Sequence, residues 1–172
     1  MFYFFREIDE IIDNIWLGDY SSSQDITSLK NKGIKKVLTV MDYEGGPNYK
    51  ENEFIHKRFN VDDNCRQNII QYFGECLNFI KGEEKILVHS MAGASRSATI
   101  VIAYLMWNKR WKLDKAFETT REKRPIVGPN EGFMKQLEMF EDLLIKNDYD
   151  IDKINFKEIK WEPTEEMLKY DF

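Results

Sequence analysis

The sequence predicts a single α/β domain, and three observations carry that expectation. Short apolar runs such as Val37-Leu38-Thr39-Val40 and Lys85-Ile86-Leu87-Val88-His89 alternate with segments whose apolar residues recur at helical spacing. A loop of small residues joins the second run to a further apolar stretch. The 172 residues, 42% hydrophobic and 14% aromatic, suffice for one substantial core and argue against disorder.

Residues 8–17 are β-rich, are broken at Asp13-Asn14, and read as one or two short strands. Ser21, Ser22 and Ser23 supply capping hydroxyls before a short helix over about residues 25–32, which Gly33 ends. Residues 37–40 and 54–61 read as strands, with a loop at Gly45-Gly46-Pro47-Asn48 between them. Ile69, Tyr72, Phe73, Cys76, Leu77 and Ile80 form a core-facing helical stripe that Gly82 closes. Residues 85–89 form a central strand, and a helix then runs through Trp107. Helices over 113–123 and 131–147 follow, the second with a seam of Phe133, Leu137, Phe140 and Leu144.

Composition narrows the function classes. A formal net charge of -5 speaks against nucleic acid as the main partner, because phosphate backbones are held by basic stripes. Only Cys65 and Cys76 occur, with no histidine cluster, so neither a disulfide framework nor a zinc site is expected. The apolar residues 1–5 run at once into Arg6, Glu7, Asp9 and Glu10, unlike a signal peptide. The longest apolar run, 98–107, is far shorter than the roughly 20 residues that span a bilayer. The reading is a soluble protein of the cytoplasm, with the nucleus also open to it, and with no membrane partner.

The richest segment is Val88-His89-Ser90-Met91-Ala92-Gly93-Ala94-Ser95-Arg96-Ser97. Small residues between the end of a strand and the start of a helix let the backbone curl so that its N–H groups converge. Beside the positive end of a helix, such a nest holds an anion. Arg96 adds a planar fork matched to two oxygens of a phosphoryl group.

This string resembles the signature loop of the cysteine-dependent phosphatases in its dual-specificity form, His-Cys-x-Ala-Gly-x-Ser-Arg-Ser. Every specified residue matches except the cysteine, whose place Ser90 takes. Ile15-Trp16-Leu17-Gly18 is similar to the family's early Leu-Tyr-Leu-Gly, and residues 98–106 to the helix behind the loop. Arg124-Pro125, Pro129-Asn130, Gly132-Phe133 and Gln136-Leu137 resemble its closing pattern. The resemblance covers roughly residues 13–144 and points to the short, atypical members. It implies a central mixed sheet flanked by helices, with the loop between a central strand and a helix. Residues 1–12 are then a short extension, 13–146 the phosphatase domain and 147–172 a tail.

The resemblance also implies roles. Residues Ser90, Met91, Ala92, Gly93, Ala94, Ser95 and Arg96 would bind phosphate, with Ser90 at the nucleophile position. The general acid lies on a mobile loop, nine residues before the aromatic of an aromatic-Phe pair; counting back from Tyr72-Phe73 selects Asp63 over its neighbour Asp62. Ser97 resembles the hydroxyl that steadies the leaving thiolate, while His89 and Asn130 resemble supports of the loop. No metal or cofactor is called for, and the implied partner is a phosphorylated protein.

Ser90 reshapes this expectation. A loop of this kind lowers a cysteine pKa from about 8.5 to roughly 3.5–7.5, whereas a serine hydroxyl ionises far less readily and no neighbouring base is evident. His89 should point to the opposite face of its strand, and His56 has no motif around it, so a serine hydrolase is disfavoured. The chain should bind phosphate and hardly turn it over. Retention of Arg96, Ser97 and Asp63 favours an engineered cysteine-to-serine replacement; the alternative is a natural pseudophosphatase that binds phosphoproteins. A phosphoinositide phosphatase would carry basic residues inside the loop, and Met91, Ala92, Ala94 and Ser95 offer none. An RNA 5′-phosphatase is disfavoured by the same loop and by the acidic balance. In the tail, Ile151, Ile154, Phe156, Ile159 and Trp161 recur among charges before a helix start at Pro163-Thr164-Glu165-Glu166. This tail is expected to dock on its own domain or on a neighbouring chain, which would allow self-association.

Overall fold

The structure, a computed structural model, describes residues 8–42, 44 and 46–171. In chain order it contains β1 (Asp9–Ile12), β2 (Ile15–Gly18), α1 (Tyr20–Ser23), α2 (Ile26–Asn31), β3 (Lys36–Val40) and β4 (Ile55–Phe59). A 3₁₀ turn (Ile70–Tyr72) leads into α3 (Phe73–Ile80), then β5 (Ile86–His89), α4 (Arg96–Asn108), α5 (Leu113–Lys123) and α6 (Glu131–Lys146). Two further 3₁₀ turns (Ile151–Lys153 and Phe156–Glu158) and α7 (Glu165–Leu168) complete it.

The sheet is mixed, in the order β1-β2-β5-β3-β4. β1 and β2 pair antiparallel across the Asp13-Asn14 turn, where both residues adopt positive φ (40° and 70°), a conformation that short polar side chains tolerate. The other three pairings are parallel, which places β5 at the centre. β1 lies within the stretch read from sequence as an extension, so the sheet begins at Asp9, before residue 13.

Strand alternation divides the interior in two. Leu38, Val40, Ile86 and Val88 face the larger core, filled from α3, α4 and α6 by Phe73, Leu77, Ile100, Phe133 and Phe140. Val37 and Leu87 face a smaller core capped by Leu29 of α2 and Ile34. Each such side chain stabilises the fold by roughly 1.5–3 kcal/mol relative to exposure. α4 is buried from Arg96 to Met106, so its start at the end of β5 is held rigidly.

Two local expectations change. The serines at 21–23 do not cap the helix before Gly33; they form α1, whose cap is Asp19, bonded to the Ser22 amide. Asp25 caps α2 through Ser28 N, and Gly33 ends it at φ 79°. The helix expected from residue 69 starts as a 3₁₀ turn because the Gln136 side-chain oxygen accepts from both Ile69 N and Ile70 N. Gly46, Pro47 and Asn48 lie in irregular backbone; Gly45 and residues 1–7 lie outside the described residues.

The tail packs on its own domain as a strap. Ile151, Ile154 and Phe156 join the larger core, with the Phe156 ring 6.0 Å from that of Phe140. Phe156 lies over Gly74, where a Cβ would meet its ring at 2.7 Å. Asn68 donates to Ile159 O, Trp161 Nε1 donates to Cys65 O at 2.7 Å, and Thr164 caps α7.

Candidate active site

β5 and α4 aim at the loop between them, and the loop's curl follows from where its carbonyls go. Met91 O accepts from Tyr20 N and Ala94 O from Gly128 N. Ala92 O and Gly93 O both accept from the Arg124 guanidinium, at 3.1 and 2.9 Å. All four carbonyls point outward, and in a trans peptide the following N–H points the other way. The amides of Ala92, Gly93, Ala94 and Ser95 therefore converge inward beside the α4 N-terminus. Gly93 permits this at φ 66°, and a Cβ there would lie 2.4 Å from Gly18 O. Arg124 is itself anchored by Asp9 at 2.7 Å, which ties the loop to the edge strand.

Ser90 Oγ is buried, and the hydrogen bonds found for it go to Ser97: hydroxyl to hydroxyl at 2.7 Å, and the Ser97 amide at 3.4 Å. Ser97 is thus placed to hydrogen-bond whatever atom occupies position 90. His89 lies on the other face of β5, as strand alternation predicts. Its Nδ1 meets Ser90 O at 3.3 Å and its Nε2 meets Thr39 Oγ1 at 2.7 Å. The same hydroxyl meets His56 Nε2 at 2.8 Å. With Nδ1–H donating to the Ser90 carbonyl, His89 Nε2 accepts from Thr39, whose oxygen then accepts from His56. Both His89 nitrogens are occupied, so this ring is no base for the Ser90 hydroxyl. Burial lowers its pKa to about 4, against a smaller raising effect of the Ser90 carbonyl. Burial, with Arg58 nearby, also lowers His56.

Arg96 is buried to 7% exposure and lines a cleft of about 560 Å³ with Asp42, Asp62, Asp63, Asn64, Arg66 and Asp171. One of its terminal nitrogens donates to Asp42 at 2.8 Å and to Val61 O at 3.0 Å, while its Nε is buried without a hydrogen-bond partner. Asp63 accepts from Asn130 Nδ2 at 3.0 Å. Asn130 also caps α6 through Phe133 N and donates its own amide to Ser95 Oγ. One residue thereby links Asp63, the loop of residues 90–95 and α6. Asp62, by contrast, uses its backbone amide, bonded to Gln67.

The loop expected to be mobile is tied down. Asn64 Oδ1 accepts from the amides of Arg66 and Gln67, Gln136 holds Gln67 O, and the strap reaches Cys65 through Trp161 and Asp171. Asp171 also pairs with Arg66 at 2.7 Å. Sequence reasoning missed Thr39, Asp42, Arg66 and Asp171; Arg124 was noted for its motif without a contact. The His56 contact carried no sequence signal either. Neither cysteine offers a thiol at this site: Cys76 is fully buried with its pKa pushed up by burial, and Cys65 donates to Met167 O beneath the strap. Among the described residues no group of three or more His, Cys, Asp or Glu is placed to hold a metal ion, and no helix is long and apolar enough to cross a membrane.

Residues 15–143 match the family model described as the dual specificity phosphatase catalytic domain. Human dual specificity protein phosphatase 2 is 40% identical over 136 residues, 77% of this chain and 43% of the relative. Tyrosine-protein phosphatase yvh1 of Schizosaccharomyces pombe is 33% identical over 139 residues, 78% of this chain and 42% of the relative. The chain thus spans about two fifths of the length of these curated relatives. The solved structure of the human tyrosine phosphatase-like serine/threonine/tyrosine-interacting protein superposes with a TM-score of 0.77 at 35% identity, over 81% of this chain and 99% of that one.

Proposed function

The chain belongs to the dual specificity phosphatase catalytic-domain family, and we propose that its loop of residues 90–96 takes the phosphoryl group of phosphotyrosine, phosphoserine and phosphothreonine in proteins. With serine at the nucleophile position it holds that group without turning it over. The observation that carries this reading is the setting of Ser90: its hydroxyl bonds to Ser97, and the adjacent imidazole is engaged elsewhere.

In a cysteine form the steps follow from the same geometry. A thiolate at position 90 attacks phosphorus while the inward amides and Arg96 hold the equatorial oxygens. Asp63, oriented by Asn130, gives its proton to the departing oxygen. Water then gives a proton to the Asp63 carboxylate and displaces the thiolate from phosphorus, with the Ser97 hydroxyl steadying the departing sulfur. In the serine form the oxyanion and acid machinery has no nucleophile ionised at neutral pH to act with.

The test sets the chain beside Ser90→Cys, with an aryl phosphate and phosphopeptides of both classes, a chelator present and vanadate as competitor. The expected result is turnover by Ser90→Cys alone, and retention of intact phosphopeptides by the serine form. Robust turnover by the serine form would place the nucleophile elsewhere and overturn the reading. A second reading, a native phosphoprotein-binding module, is favoured by the likeness to a protein described as phosphatase-like and interacting. A folded Ser90→Cys variant that stays inert on every phosphoester would select it.

A further inference from the structure

The cleft in front of Arg96 has a charge pattern at odds with a simple anion site. Its wall carries four carboxylates, of Asp42, Asp62, Asp63 and Asp171, against the two guanidinium groups of Arg66 and Arg96. Both guanidinium groups are already matched: Arg96 by Asp42 at 2.8 Å and Arg66 by Asp171 at 2.7 Å. Asp62 and Asp63 are exposed, and Asp63 is met only by a neutral amide among the contacts found for it. Yet the cleft is also built for an anion. The Arg96 side chain is 9% exposed, its Nε is buried without a hydrogen-bond partner, and Arg96 lines the cleft while following the loop of residues 90–95 directly in the chain.

These two facts fit one kind of ligand. A phosphoryl group that takes Arg96 releases the Asp42 carboxylate to the rim, which raises the surplus of negative charge there. A ligand with a second anion beside the phosphate meets repulsion from Asp42, Asp62 and Asp171. A ligand with flanking cations relieves it. Arg66 gives an acidic flank no relief, because Asp171 neutralises it and is itself held by the Cys65 amide. Resting on the proposed phosphoprotein-binding reading, we propose that the cleft selects phosphopeptides with lysine or arginine close to the phosphorylated residue. The C-terminal strap sets part of that preference by bringing Asp171 to the rim.

The experiment measures binding of three labelled phosphopeptides to the full chain by fluorescence polarisation, with inorganic phosphate titrated separately by calorimetry. The peptides share one phosphorylated residue and carry two flanking lysines, alanines or glutamates. The lysine peptide is expected to bind tightest and the glutamate peptide weakest, a span on the order of tenfold or more for exposed charge pairs. Raising salt from about 50 mM to about 500 mM should compress that span, because the pairs are at the surface. Asp62→Asn and Asp171→Asn, which keep the side-chain shape, should each shrink the lysine-to-glutamate ratio by roughly two- to fivefold and leave the alanine peptide no weaker. If phosphate and all three peptides bind but the lysine and glutamate peptides bind equally, the charge preference is wrong and the phosphate site stands. If neither phosphate nor any peptide binds, the site itself is wrong and the preference falls with it.

Discussion

Acidification should destabilise this domain through His89, and the size of the effect follows from where the ring lies. Burial holds the folded-state pKa at about 4, below the ordinary value of 6.5 that the unfolded chain should show. Between these values the unfolded chain binds a proton that the folded one refuses, so stability rises with pH across the window. The contribution is complete above about 6.5 and is lost as pH falls towards about 4. The whole interval corresponds to roughly 3 kcal/mol, and most of it should already be gone at pH 4.5. That is a large share of the 5–15 kcal/mol typical of a domain. His56, also lowered, acts in the same direction. The assay is urea denaturation at pH 7 and pH 4.5 for the chain and for His89→Gln, which keeps a polar side chain without a titrating group. Carboxylate titration is common to both, so the difference isolates His89. Equal losses in the two proteins would refute the reasoning.

In a cysteine-restored background, Asp63→Asn should slow turnover of poor leaving groups by about 10²–10⁴, with little effect on a leaving phenolate of low pKa. Asp62→Asn should matter little in that assay, and equal losses at the two positions would reverse the choice between them. Gly93→Ala forces a Cβ to 2.4 Å from Gly18 O at a positive φ, so it should cost about 1–3 kcal/mol or more and abolish phosphate binding by calorimetry. Unchanged phosphate affinity in that variant would mean that the loop tolerates another curl. Phe156→Ala removes a ring packed on Phe140 and over Gly74, at about 3–5 kcal/mol for a core phenylalanine. Hydrogen exchange should speed up across the strap and at the Cys65 amide; unaltered exchange there would show that the strap is held by other contacts.

The strand-loop-helix around residues 90–95 was legible in the sequence because its parts are contiguous. Six residues, 90–95, lie between a strand end and a helix start, and Arg96 and Ser97 follow within the first helical turn. The helical stripes of α3 and α6 were legible for the same reason, since period and burial are local properties of a segment. The capping role of Ser21, Ser22 and Ser23 was misread because a cap depends on which residue is extended, and the end of β2 gives that conformation to Asp19. What the tertiary structure alone decided are the pairings across long separations. Thr39 meets His89 fifty positions on because β3 and β5 are neighbours in the sheet. Asp42 reaches Arg96 across 54 positions, and Asp171 reaches Arg66 across 105. No spacing rule encodes such contacts. The burial of Val37, Leu87 and Phe156 fixes strand order and the path of the strap, and the charged side chains meet where that packing leaves them.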